Sequence, residues 1–172
     1  MKKSVLFVLV CLMAMSTTFA QASFAKPDVS IADNKDEMIG KAEAFMNAGF
    51  TGDMESMEAL MHEAYYQFPP GSGQDSLDRA KSLEDWSGFS KEWKDATWNG
   101  ISTCIKTPEG DHVVFLWGKA TGTQISSGKS IEFMNHAVMV FTENKIVRMY
   151  SYYDTATIGQ QLGFKMVPAT EE

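Results

Sequence analysis

The chain has 172 residues, 44% of them apolar and 22% charged, with a formal net charge of −7. That length suits one domain with a sizeable core, and the apolar share is enough to fill it. The acidic balance argues against a nucleic-acid backbone or an anionic membrane surface as a partner.

The first element in chain order is a targeting segment. Lys2 and Lys3 precede an uncharged apolar run from Val5 to Met15, which gives way to small residues. This is the pattern of a secretory signal, with cleavage after Ala20 (Thr18-Phe19-Ala20) or after Ala22 (Ala20-Gln21-Ala22). The apolar run is too short to span a bilayer, which takes roughly 20 residues, so no membrane span is expected after processing. Loss of residues 1–22 would leave about 150 residues, and without Lys2 and Lys3 a net charge of about −9, in the periplasm or outside the cell. Cys11 leaves with the signal, so Cys104 stands alone and no internal disulfide is expected. His62, His112 and His136 are scattered without metal-ligand spacing. No P-loop, Gly-rich dinucleotide turn or nucleophile elbow is present, so neither a metal nor a cofactor is expected.

Residues 23–34 read as a flexible lead-in. From Lys35, the apolar positions Met38, Ala42, Phe45 and Met46 recur at helical spacing, with Asp36 and Glu37 near the start and Gly49 and Gly52 at the end. Asp53 caps a second helix whose Met54, Met57, Leu60 and Met61 share a face, the methionines serving as core filling. Ala64 to Phe68 has strand character and stops at Pro69-Pro70-Gly71. Leu77 to Trp93 returns to helical spacing, with Gly88 as an interior residue where a kink could form. Four strands follow, Trp98 to Lys106, His112 to Thr123, Lys129 to Thr142 and Lys145 to Tyr153, with turn chemistry at each junction. A short last helix runs from near Asp154-Thr155 to Leu162-Gly163. Three helices ahead of an antiparallel meander make an α+β pattern, with the domain over residues 35–164 and a tail over 165–172.

Several local motifs carry a resemblance. They are Ala48-Gly49-Phe50-Thr51-Gly52-Asp53 between the first two helices, Tyr66-Gln67-Phe68-Pro69-Pro70-Gly71, and Phe141-Thr142-Glu143-Asn144-Lys145-Ile146 leading to Tyr152-Tyr153-Asp154 and Gln161-Leu162-Gly163. In this order and spacing the chain resembles the SnoaL-like branch of the nuclear transport factor 2-like superfamily. The resemblance implies a cone, with a strongly bent antiparallel sheet, mixed at its edge, wrapped around three N-terminal helices, a short C-terminal helix, and a pocket at the wide end. The superfamily includes ketosteroid isomerases, scytalone dehydratases, limonene epoxide hydrolases and polyketide cyclases, as well as domains without catalysis, so function has to be argued from the site. Where the ketosteroid isomerases carry a base and two oxyanion donors, this chain carries Phe68, Phe45 and Ala137. Isomerase chemistry of that type is therefore not expected.

Which strand face lines the pocket depends on the last hairpin. A three-residue loop Thr142-Glu143-Asn144, with Asn144 left-handed, puts Phe133, Asn135, Ala137 and Met139 on one face with Val147, Met149, Ser151 and Tyr153. A two-residue turn would slip the register and bring His136 beside Ser151 and Tyr153. With the first register, Tyr66, Phe68, Trp86, Asn135, Met149 and Tyr153 are expected to line one cavity, closed at its narrow end near Phe45. His136 and Asp154 are the candidate catalytic groups, set against a bonded outer-face histidine and a helix N-cap. Gly118, Ala120 and Gly122 either leave room for a ligand or mark where the sheet bends. Trp117, His136, Tyr150 and Tyr152 form an outer patch that a homodimer would cover, which is also what the resemblance implies. The expected function is binding of a small apolar or aromatic molecule, with cofactor-free acid–base chemistry (cyclisation, dehydration or isomerisation) open. The alternative is a non-catalytic ligand-binding or protein-interaction module acting as a dimer.

Overall fold

Helical spacing ahead of the strands becomes three helices in the computed structural model, which describes residues 28–71, 75–165 and 167. The signal segment 1–22 lies outside the described residues, as do the start of the lead-in and most of residues 165–172. Helix α1 (Lys35–Thr51) buries Met38, Ala42, Phe45 and Met46 along one stripe. Asp53 caps α2 (Met54–Leu60) by accepting from the Ser56 amide at 3.1 Å. Asp78 does the same for α3 (Arg79–Glu92) from the Lys81 amide at 2.9 Å, and α3 runs without a break across Gly88. The last helix, α4 (Thr155–Leu162), ends at Gly163 in the left-handed conformation, φ 93°. No helix among the described residues is long and apolar enough to cross a membrane.

Seven strands form one curled sheet: β1 (Ser30–Ile31), β2 (Met61–Phe68), β3 (Leu77–Asp78), β4 (Trp93–Lys106), β5 (His112–Gln124), β6 (Ser130–Thr142) and β7 (Lys145–Tyr153). Their order is β1-β4-β5-β6-β7-β2-β3. β4 to β7 make the antiparallel meander, while β2 joins β7 in parallel, so the sheet is mixed. The α+β cone fold read from the sequence is what the chain adopts. Several segments differ from the sequence reading by their ends. The lead-in contributes the edge strand β1, and Leu77–Asp78 pair with β2 before α3 starts. β4 begins at Trp93, five residues before the predicted Trp98, because a bulge at Asp95 (φ 55°) lets Lys94 and Trp93 go on pairing with β5.

The β6–β7 turn corrects the loop expected from the sequence. Glu143 (φ 51°) and Asn144 (φ 62°) are both left-handed, and Thr142 faces Lys145, which makes a two-residue turn. The predicted slip does not follow, because Val147 bulges out between the Ile146 and Arg148 pairings. Beyond it Met139 faces Met149, Ala137 faces Ser151 and Asn135 faces Tyr153. The shorter turn and the bulge each move the pairing by one residue in the same direction, and a two-residue shift brings the same strand faces back together. The core lies between α1 and the concave face, where Phe45, Tyr65, Leu116, Met139 and Met149 are nearly or wholly buried. Each such side chain contributes about 1.5–3 kcal/mol of transfer free energy, and methionine fills irregular gaps here without strain.

Candidate functional site

Between α3, the C-terminal half of α1 and the inner face of β5–β7 lies a cavity of about 210 Å³. Residues 86, 89 and 93 stand at i, i+3 and i+7, so Trp86, Phe89 and Trp93 share one face of α3 and its continuation. Their rings form a ladder, with Trp86 edge-on to Phe89 at 5.8 Å and Phe89 stacked on Trp93 at 6.0 Å. Phe133 and Tyr153, 5.1 Å apart on β6 and β7, face them across the cavity. Ala120 and Gly122 on β5 also line it, so two of the three small residues leave room there. The third, Gly118, is covered by Trp98: a methyl group on it would lie 2.6 Å from Trp98 Cε2.

Trp86 sits low in the wall because α1 carries no side chain beneath it. A methyl group on Gly49 would lie 2.5 Å from Trp86 Cε3, so this glycine is a packing position inside α1 rather than the helix end expected from the sequence. The indole N–H donates to Gln67 Oε1 at 3.1 Å, and Tyr65 Oη donates to the same oxygen at 3.3 Å. Tyr65 is almost fully buried, which pushes its phenol far above its ordinary pKa and keeps it a donor. Gln67 lies in one row with Met149, Met139 and Val114 across β2, β7, β6 and β5, at the inner part of the sheet.

Asn135 sits on β6 between Gly118 and Tyr153, is 9% exposed, and has an Oδ1 without a hydrogen-bond partner. A buried polar atom left unpaired costs about 1–3 kcal/mol. Burial raises the Tyr153 pKa, so its hydroxyl stays protonated at neutral pH. Asp85 is half-exposed at the rim, with its carboxylate 3.9 Å from Lys81 Nζ. The cavity therefore offers hydrogen bonds and an apolar wall, with Asp85 and Tyr153 as its only ionisable groups among the described residues. No three His, Cys, Asp or Glu side chains gather into a metal-ligating group there or elsewhere among the described residues.

Of the residues singled out in the sequence, Trp86, Asn135, Met149 and Tyr153 meet in this cavity. Tyr66 and Phe68 do not. Tyr66 is 47% exposed and Phe68 stacks on Tyr150 at 4.8 Å, both on the outer face. Alternation along β2 turns Tyr65 and Gln67 inward instead, after a bulge that follows Met61. His136 also faces outward, its ring 4.7 Å from Trp117 and 5.7 Å from Tyr152, and its Nε2 is buried without a partner. Asp154 caps α4, accepting from the Thr157 hydroxyl and from the Thr157 and Ala156 amides, and these bonds, the hydroxyl's first, hold its pKa down. Gln67, Phe89 and Trp93 also line the cavity and are not among the site residues singled out in the sequence. The signal for Gln67 was present, since a buried tryptophan needs an acceptor for its N–H.

No curated protein sequence matches this chain. Among solved structures, a nuclear transport factor 2-like protein of Burkholderia thailandensis is 20% identical, with 73% of this chain and 96% of that one aligned at a TM-score of 0.57. A candidate polyketide cyclase of Xanthomonas campestris pv. campestris is 16% identical over 76% of this chain and 99% of its own, at a TM-score of 0.64. Wild-type IdmH of Streptomyces antibioticus, another candidate polyketide cyclase, is 20% identical over 74% and 99%, at 0.60. At such identities the likeness is one of fold. The family profile described as a SnoaL-like domain matches residues 42–149, most of the folded chain, and this protein belongs to that family.

Proposed function

We infer that the domain is an exported binding protein for a small apolar or aromatic molecule held in its cone. The observation that carries this reading is the convergence of Trp86, Phe89 and Trp93 on a buried, unpartnered amide at Asn135. A mostly apolar cleft with a few placed polar groups is the usual form of a small-molecule site. Titrating 2-naphthol into the purified protein tests it. Tryptophan emission should quench saturably and one to one, and emission that stays unchanged on folded protein contradicts the reading.

A second reading, cofactor-free acid–base catalysis of the cyclase, dehydratase or isomerase type, is favoured by structural neighbours described as candidate polyketide cyclases. Such chemistry needs two ionisable groups in reach of one substrate. Tyr153 and Asp85 are the pair the lining offers, and the pairing of Asp85 with Lys81 at the rim weighs toward binding without catalysis.

Export and dimerisation belong to the same proposal. Lys2, Lys3 and the apolar run that follows support a cleaved signal. Mass spectrometry of periplasmic or secreted material should find the N-terminus at Gln21, Ser23 or Lys26. An intact Met1 on membrane-embedded protein contradicts it. The exposed aromatic outer face supports a homodimer.

A further inference from the structure

Trp86 Nε1 and Tyr65 Oη both meet Gln67 Oε1, and these are the only hydrogen bonds of the Gln67 side chain among the described residues. An indole N–H can only donate, so the orientation of the Gln67 amide is fixed: oxygen toward Trp86, NH2 away from it. Gln67 is 9% exposed and lines the cavity. Its two N–H donors are thus held in place by a bond network that uses only the oxygen. A carbonyl or phenolic oxygen on a guest would satisfy them.

The charge of the lining narrows the guest further. No Lys, Arg or His lines the cavity among the described residues, and its one full charge is the Asp85 carboxylate. A carboxylate or phosphate would enter past a like charge and find no counter-ion, at a high desolvation cost. Size and shape follow from the walls. An apolar cavity of about 150 Å³ holds benzene, so about 210 Å³ between facing aromatic rings fits a flat guest of one to two rings. We propose that the cavity selects an uncharged, flat, one- to two-ring molecule whose carbonyl or phenolic oxygen is received by Gln67 Nε2, with Gln67 as the specificity-determining residue. The proposal rests on the ligand-binding reading above.

Three probes of one size decide it: naphthalene, 2-acetylnaphthalene and ionised 2-naphthoate at pH 8, each followed by tryptophan quenching. 2-Acetylnaphthalene should bind about tenfold or more tighter than either of the others. Gln67→Glu keeps an oxygen for Trp86 and Tyr65 but removes the donors, and Gln67→Met removes them without adding charge. Either variant, shown to be folded by thermal melting, should lose about tenfold for 2-acetylnaphthalene and leave naphthalene binding in place. Naphthalene binding with no preference for the ketone, 2-naphthoate binding as tightly as the ketone, or folded variants that hold the ketone like the native protein would each overturn the proposal alone. If all three probes fail on the folded native protein, the ligand-binding reading falls and the proposal with it. If neither variant folds, the ranking of the three probes on the native protein decides.

Discussion

His136 illustrates how one side chain can tie stability to pH without touching the cavity. Its imidazole lies between Trp117 and Tyr152 on the outer face, and burial lowers its pKa below the ordinary value of 6.5. Below about pH 6.5 the unfolded chain takes up a proton there that the folded chain resists. The contribution is therefore complete above that pH and is lost as the pH falls through the lowered folded value. Replacing His136 by Phe keeps the stack and removes the titration, so the drop in melting temperature between pH 8 and pH 5.5 should shrink. An equal drop in both proteins contradicts this account. Adjacent residues also show where the sequence could not be read. Gln67 and Phe68 sit side by side, and apolarity alone points Phe68 inward. The bulge after Met61 reverses that choice and leaves no mark in the pattern along β2, while the need of Trp86 for an acceptor is a signal that lies far away in the chain.

At the scale of elements, the cavity depends on how closely α3 approaches α1. That approach is set where Trp86 lies over Gly49, held by its bond to Gln67 and by the rings of Phe45 and Phe50 at 6.3 and 5.9 Å. Gly49→Ala favours the helix by about 1 kcal/mol, but overpacking of this kind costs typically 1–3 kcal/mol. The clash should win, lowering the melting temperature and weakening 2-naphthol binding as Trp86 is pushed from its place. A variant that melts higher and binds unchanged contradicts this packing argument. Long periodic elements such as α1 and β7 could be placed from the sequence because their patterns repeat enough times to be distinctive. The two-residue strands β1 and β3 have no period, and the early start of β4 is hidden by Lys94 and the left-handed Asp95. The inner face of β6 was legible although its turn was not, since the shorter loop and the Val147 bulge together move the pairing by two residues, which leaves the faces unchanged.

For the whole molecule, the sheet has two faces with different roles. Its concave side encloses the core and the cavity. Its convex side sets Ile101, Trp117, His136 and Tyr152 in one cross-strand row over β4 to β7, with Trp117 40% and Tyr152 56% exposed. A second copy would cover this row, and light scattering at micromolar concentration should then report twice the monomer mass. A clean monomer contradicts the dimer and leaves the aromatic row as surface packing. The fold class was legible at this scale because helices followed by strands in this order admit few architectures. The chemistry was not, because it depends on which few side chains a bent sheet turns inward. The central claim, that the cavity is a ligand site, is tested most directly by measuring 2-naphthol affinity and melting temperature together for the native protein and Asn135→Leu. The account predicts that the variant melts at the same or a higher temperature, since a buried unpaired oxygen is removed. It also predicts that 2-naphthol affinity falls about tenfold, near 1.4 kcal/mol. A variant that unfolds would assign the amide to a structural network, and a folded variant that binds 2-naphthol as tightly as the native protein would contradict the claim.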